Sequence, residues 1–378
     1  MSWKKVKLGD VSEACLGKML DQRKNKGTYK PYLANVNVRW GSFDLDNLQE
    51  MKFEDDEDER YGIKYGDLII CEGGEPGRCA IWKEELPNMK IQKALHRVRV
   101  NEEMDYRYVY YWFLLAGKQG ALKQYYTGAT IMHMPGQKLK EVVIDKPPLG
   151  VQRQIGYYLE SFDNLIDNNQ KQIKLLEEAA QRLYKEWFVA LRFPGYENVK
   201  IVDGVPEGWK KVGLAKIAPI VTGKKDANFG TDSGKYLFFT CAQEPIKAPS
   251  YSFDCDAVIL AGNGDFNVKL YRGQFEAYQR TYVFSPHNSD NLYLLYYAVK
   301  DSMRQLFQGA SGSTIKFLTK RMLEEILVFV PDGDILIRFN QNCESFQKKI
   351  EALKIQISLV QEACHRLLPK LMSGEIEV

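Results

Sequence analysis

The sequence predicts an α+β chain: two tandem α+β globules separated by a pair of long antiparallel coiled-coil helices, related by a pseudo-twofold repeat. Three observations predict it. A seven-residue apolar rhythm occurs twice, the text of the first half returns in the second, and short β-branched or aromatic runs are cut by Gly, Pro, Asn and Asp. The expected segments are a globule over 1–147, a helix over 148–193, a second globule over 194–330 and a second helix over 331–378.

The first rhythm runs through Ile155, Leu159, Phe162, Ile166, Ile173, Leu176, Ala180, Leu183 and Trp187, interrupted by Asn169. The second runs through Leu336, Phe339, Cys343, Phe346, Ile350, Leu353, Ile357, Val360, Cys364, Leu367 and Leu371. Ile173 aligns with Ile357 and Trp187 with Leu371, both at an offset of 184 (357 − 173). Helices of about 40 residues reach roughly 60 Å, and one alone cannot hide its apolar stripe. Pairing within the chain solves that, and an antiparallel pair separates the globules where a parallel pair would crowd them. Asn169, opposite Leu353 in the alignment, either fixes register as a buried polar group or sits at a wet, widened part of the pair.

Each globule opens alike, Trp3-Lys4-Lys5-Val6 and Trp209-Lys210-Lys211-Val212. Gly66-Asp67-Leu68-Ile69-Ile70 reads like Asp256-Ala257-Val258-Ile259-Leu260, each followed by a glycine-bearing loop. Thr127-Gly128-Ala129-Thr130-Ile131 matches Ser311-Gly312-Ser313-Thr314-Ile315 at the same offset of 184. Val142-Val143-Ile144 and 326–330 are expected to be closing strands, each preceded by one helix, 106–125 and 292–307. Pro147-Pro148 stops the first globule and permits a helix start. The first globule is longer by about 22 residues (127 from Trp3 to Thr130, 105 from Trp209 to Thr314).

With 378 residues, 45% hydrophobic and 27% charged, two cores are expected in a protein of the cytoplasm. No apolar run suits a bilayer or a secretory signal. Seven cysteines without a C-x-x-C pair and four scattered histidines suggest reduced, mostly buried thiols and no metal site. Residues 1–147 carry 24 basic and 22 acidic groups, and 194–330 carry 16 and 14, so bulk charge names no partner. Six of the acids form the run Glu54–Glu59, read as a solvated loop.

Catalytic motifs are weak. Asp145-Lys146-Pro147-Pro148-Leu149 lacks the spacing and the aromatic of a methyltransferase motif, and reads as helix-start prolines. Gly17-Lys18-Met19 and Gly223-Lys224-Lys225 complete no phosphate loop. Ser313-x-x-Lys316 has no supporting motif, and Glu50-Met51-Lys52 is a lone triplet.

Two dissimilar globules, each followed by a similar long helix, resemble the layout of the specificity subunit of type I restriction–modification enzymes. Pro147-Pro148-Leu149-Gly150-Val151-Gln152-Arg153-Gln154-Ile155 looks like that family's entry to its central helix, and 172–177 and 183–188 like the continuation. Leu367-Leu368-Pro369-Lys370-Leu371-Met372-Ser373-Gly374-Glu375-Ile376 resembles its ending, and 66–74, 92–98 and 222–228 resemble target-recognition text. The resemblance implies a non-catalytic subunit whose globules each read half of a split DNA site. The helices would act as spacer and as docking surface for two DNA methylation subunits, which carry the methyl donor, so no cofactor is expected in this chain. Motor-nuclease subunits are a further implied partner. The competing reading is a duplicated protein-binding adaptor that never touches DNA.

Groove reading needs forked donors and acceptors, and phosphates need cations or close backbone. The expected DNA-binding loop residues are Arg23, Lys24, Lys26, Arg39, Arg78, Gln92, Lys93, His96 and Thr130, then Lys224, Lys225, Asn228, Asn263, Asn267, Lys269, Arg280, Thr314 and Lys316.

Overall fold

A computed structural model describes residues 3–21, 23, 25–264, 266–309, 316–331 and 333–378. Two compact units emerge: Met1–Asn169 with Ile355–Val378, and Gln170–Lys354. Each therefore holds one globule, part of the first long helix (Leu149–Tyr184) and part of the second (Gly333–Ser373).

In the first unit, Lys4–Lys7 pairs antiparallel with Val143–Lys146. A four-stranded sheet follows the order Ser12–Leu16, Leu95–Val100, Leu68–Cys71, Cys79–Ile81. A three-stranded sheet places Thr28–Leu33 between Gln49–Phe53 and Lys90–Ile91, the last pairing parallel. Strand side chains alternate faces, and in Leu68–Cys71 the alternation separates two cores. Leu68 and Ile70 face the helix Tyr106–Lys118 and the first long helix, whereas Ile69 and Cys71 pack with Leu33, Trp82 and Ile91.

The second unit repeats this plan in one sheet, ordered Ile220–Thr222, Thr281–Phe284, Phe253–Ala261, Val268–Ala277, Tyr236–Phe239, Ile246–Ala248. Val258 and Leu260 face the helical core that includes Leu292–Gly309, and Ala257 and Ile259 face Phe239 and Phe275. The ten-residue strand Val268–Ala277 joins two neighbours. In the first unit, Cys79–Ile81 and Lys90–Ile91 divide that work, which breaks the sheet in two. The extra length of the first globule lies earlier: Thr28 to Leu68 spans 40 residues, against 17 from Tyr236 to Phe253.

That insertion contains the acidic run, and the solvated-loop expectation is corrected there. Asp55–Glu57 and Asp58–Tyr61 are short helices. Glu57 pairs with buried Lys18, while Asp58 takes Lys30 at 2.7 Å and Lys90 at 3.1 Å. Burial opposes charge on Asp58, but hydrogen bonds from both lysines outweigh it and hold the carboxyl below its usual value. The run neutralises lysines that the fold has drawn inside.

Two further details depart from expectation. A short second helix precedes each closing strand, Gly136–Lys140 and Lys320–Glu324. Trp187 lies in a π-helical turn, Lys185–Val189, that ends the first long helix. All seven cysteines are free thiols; Cys71, Cys79 and Cys343 are buried and the others half-buried.

The long-helix residues of the apolar rhythm are covered or half-covered. In the first unit Ile155 and Leu159 share a core with Leu368, Leu371 and Met372, and Asn169 is buried, donating to Gln356 Oε1 at 3.1 Å. Chain order thus runs oppositely in the two segments. In the second unit Ala180, Tyr184 and Trp187 meet Leu336, Phe339 and Cys343. Gln152 explains part of the helix-entry text. Its side chain, fully buried, donates to Pro147 O at 2.8 Å and accepts from Asp105 N at 2.9 Å, tying the helix start to the cap of Tyr106–Lys118.

Asp163 is also enclosed, accepting from Tyr111 Oη at 2.6 Å. Burial raises its pKa above the ordinary 3.8, against the pull of that hydrogen bond. An acid whose pKa rises on folding stabilises while protonated, and that contribution is lost as pH climbs through the folded value. Asp163→Asn is therefore expected to gain stability relative to the native chain as pH rises above about 3.8. Urea unfolding of both proteins across pH checks this; a pH-independent difference would refute it.

Candidate nucleic-acid interface

One main-chain frame occurs in both units. Glu72 N donates to Ala94 O at 2.9 Å, and Gly262 N to Arg280 O at 2.8 Å. Met134 N donates to Glu72 O at 2.7 Å, and Leu318 N to Gly262 O at 2.8 Å. Lys93 N donates to Lys18 O at 2.8 Å, and Gln279 N to Lys225 O at 2.9 Å. Gln92 N reaches Leu33 O and Tyr278 N reaches Phe239 O, each at 3.0 Å. Four loops converge at this frame in each unit: the one after the central strand, the turn before the next strand, the segment before the short helix, and the loop leaving the first sheet strand.

Close approach at the frame depends on glycine. A Cβ on Gly17 would lie 2.4 Å from Gln92 O, and one on Gly223 would lie 1.9 Å from Ala277 O. Gly128, at φ +99°, closes a hairpin in which Thr127 and His133 exchange backbone hydrogen bonds of 2.7 and 2.9 Å. The hairpin exposes Thr130, Ile131 and Met132.

Side chains on the frame differ between units. In the first, Gln92 is half-buried and Lys93 exposed on the turn. Arg78 is half-buried: Nη2 donates to Asn35 O at 3.2 Å and Oδ1 at 3.0 Å, and Nη1 pairs with Glu75 at 3.3 Å. Asn35 returns a hydrogen bond to Gly73 O at 2.8 Å. Arg23 and Lys26 are exposed in the loop leaving the frame at Lys18. Arg39 is exposed but engaged with Val36 O, Val38 O and Asp44.

In the second unit Lys224, Asn228, Arg280 and Lys316 are exposed, and Lys225 stacks over Phe229 at 4.4 Å. Gln279 donates to Asp226 at 2.7 Å, bracing the loop that carries Asn228. Asn263 is half-buried and bridges Phe317. Asn267 donates to Cys241 O at 3.0 Å, and Lys269 to Ala242 O at 2.9 Å.

His96 and Lys269 are not loop residues as expected. His96 lies in Leu95–Val100, 1% exposed, with Nε2 3.3 Å from Met134 O. Burial lowers its pKa, so it is a neutral core group that cannot meet DNA without the sheet opening. Lys269 lies in Val268–Ala277, half-buried. Lys24 and Thr314 fall outside the described residues. Sequence reasoning missed Lys18, Asn35, Trp40 and Glu75. The Pro76-Gly77 pair was the available signal, because it fixes the loop on which Glu75 stands.

Among the described residues no group of three His, Cys, Asp or Glu side chains is arranged to hold a metal ion, and no helix is long and apolar enough to cross a membrane.

The profile of the type I restriction modification DNA specificity domain matches residues 1–178 and 206–358. The EcoDI specificity subunit of Escherichia coli, from a type I restriction enzyme, is 33% identical over 176 residues, 46% of this chain and 39% of that protein. The MjaVIII specificity subunit of Methanocaldococcus jannaschii is 24% identical over an alignment covering 100% of this chain and 93% of that protein. The crystal structure of a type I restriction–modification S subunit from M. genitalium shares the fold, with TM-score 0.61 and 16% identity over 98% of this chain and 96% of that one.

Proposed function

The chain belongs to the type I restriction modification DNA specificity family, and on that premise we propose that each unit reads one half of a split double-stranded DNA site. The observation that carries the reading is the repeated frame: the same main-chain hydrogen bonds hold four loops in each unit, with different side chains at their tips. Constant backbone with variable forked donors is what a module for sequence reading requires. Gln92 and Lys93 in one unit, and Asn228, Arg280 and Lys316 in the other, are the groups offered to bases and phosphates.

The long helices form an antiparallel coiled-coil spacer in this reading, with buried Asn169, hydrogen-bonded to the exposed Gln356, setting register. They dock two DNA methylation subunits, which bring the methyl donor; motor-nuclease subunits join that assembly. Exposed Tyr157, Ile355 and Leu359 on the helix segments of the first unit support a partner surface there. The chain itself contributes recognition and no chemistry.

The test uses the chain with its methylation subunits. Methylated sites sequenced from cells are expected to show one bipartite motif. Binding to that DNA should weaken linearly in log–log salt plots. Inserting one heptad in each long helix, about 10 Å at 1.5 Å per residue, should widen the gap by about three base pairs. An unaltered gap would remove the spacer role, and tight assembly with no DNA preference would favour the adaptor reading.

A further inference from the structure

Glu75 is an acidic group clamped at the tip of a frame loop in the first unit, and its setting is built. The loop is a type II turn: Pro76 leads, Gly77 takes φ +91°, and Arg78 N closes on Glu75 O at 3.1 Å. Gly77 N donates to Cys71 O at 2.9 Å and Tyr126 Oη to Pro76 O at 2.5 Å, so the turn is anchored to the sheet and to the segment beside the hairpin. Each carboxylate oxygen has one donor. Trp40 Nε1 holds Oε1 at 2.7 Å, and Arg78 Nη1 holds Oε2 at 3.3 Å. Both donors are themselves fixed: a Cβ on Gly117 would lie 2.8 Å from the Trp40 ring, and Arg78 is forked onto Asn35.

The Glu75 side chain nevertheless remains 54% exposed. A carboxylate offers about four lone-pair sites, so two donors leave acceptor capacity facing water. An anion at a phosphate-binding face weakens binding unless it finds a donor on the DNA. The major groove offers one that carboxylates accept from, the exocyclic N4 amine of cytosine. We propose that Glu75 is a specificity-determining residue of the first unit, accepting a hydrogen bond from a cytosine amino group. This rests on the DNA reading above.

The test is selection of bound DNA from a library with both half-sites randomised, using the chain complexed with its methylation subunits. The native complex should require cytosine at one position of one half-site. Glu75→Gln should reduce that preference about tenfold or more and leave the other half-site untouched. Trp40→Phe, which keeps the carboxylate but removes one brace, should weaken preference at the same position. A uniform loss of affinity with every base preference intact would make Glu75 a loop clamp and overturn the proposal, as would no change in either variant. If the native complex selected no split site, the DNA reading itself would fall, which the native arm alone reveals.

Discussion

Phe339→Ala is expected to cost the second unit about 3–5 kcal/mol, the range for emptying a packed aromatic site. Phe339 is fully buried on the second long helix. Its ring meets Phe188 edge-on at 4.8 Å, with Trp187, Tyr297 and Tyr184 at 6.0, 6.1 and 6.5 Å. Those rings come from three helical segments, so the cavity cannot be closed by a shift of one loop. Because the first unit has its own core, the loss should appear as an early transition in urea unfolding that the first unit does not share. If each unit reads a half-site as proposed, the one assigned to the second unit should blur first in binding selections. A single unshifted transition would show that this aromatic knot does not hold the unit.

Arg97→Met should produce a loss of similar size, about 3–5 kcal/mol, in the first unit, because it leaves three main-chain acceptors without their donor. Arg97 is 2% exposed in the strand Leu95–Val100. Its Nη1 donates to the carbonyls of Glu59, Arg60 and Gly62 at 2.9, 3.0 and 3.1 Å, and its Nη2 to Glu13 at 2.6 Å. These carbonyls lie at and just beyond the C-terminal end of the short helix Asp58–Tyr61, where main-chain acceptors lack partners of their own. Methionine fills the space but strands the acceptors, and lysine's single nitrogen, with three N–H donors, cannot serve the three carbonyls and Glu13 together. The damage should spread to Asp58 and so to Lys30 and Lys90. Hydrogen exchange over 54–62 is the measurement; native protection in the variant would refute the role.

The readable parts of the sequence were those with a local period. The apolar rhythm marked both long helices because burial of one stripe imposes it residue by residue. The closing strands at Val143–Lys146 and Leu327–Val330 were legible for the same reason. The parallel pairing of Tyr32 with Lys90 was not, since nothing in either segment names a partner 58 residues away. His96 misled because Leu95–Val98 is covered on both faces, so no alternation of polar and apolar residues separates inside from outside. The acidic run misled because composition does not reveal that lysines have been folded beneath it. Within the candidate interface, residue types were legible but commitments were not. Arg78 and Asn267 look like groove readers in the text, and the fold spends them on Asn35 and on Cys241 O. Glu75 carries no local signal of its own, and only the fold brings Trp40 and Arg78 onto its two oxygens.

The repeated frame has a consequence for how such a chain changes over generations. Its joints are peptide groups, Glu72 to Ala94 and Gly262 to Arg280 among them, and peptide groups are indifferent to the letters they carry. Drift at the tips can rewrite what is recognised while the joinery stays sound. New preferences can then accumulate without a refolding crisis, one half of the molecule at a time.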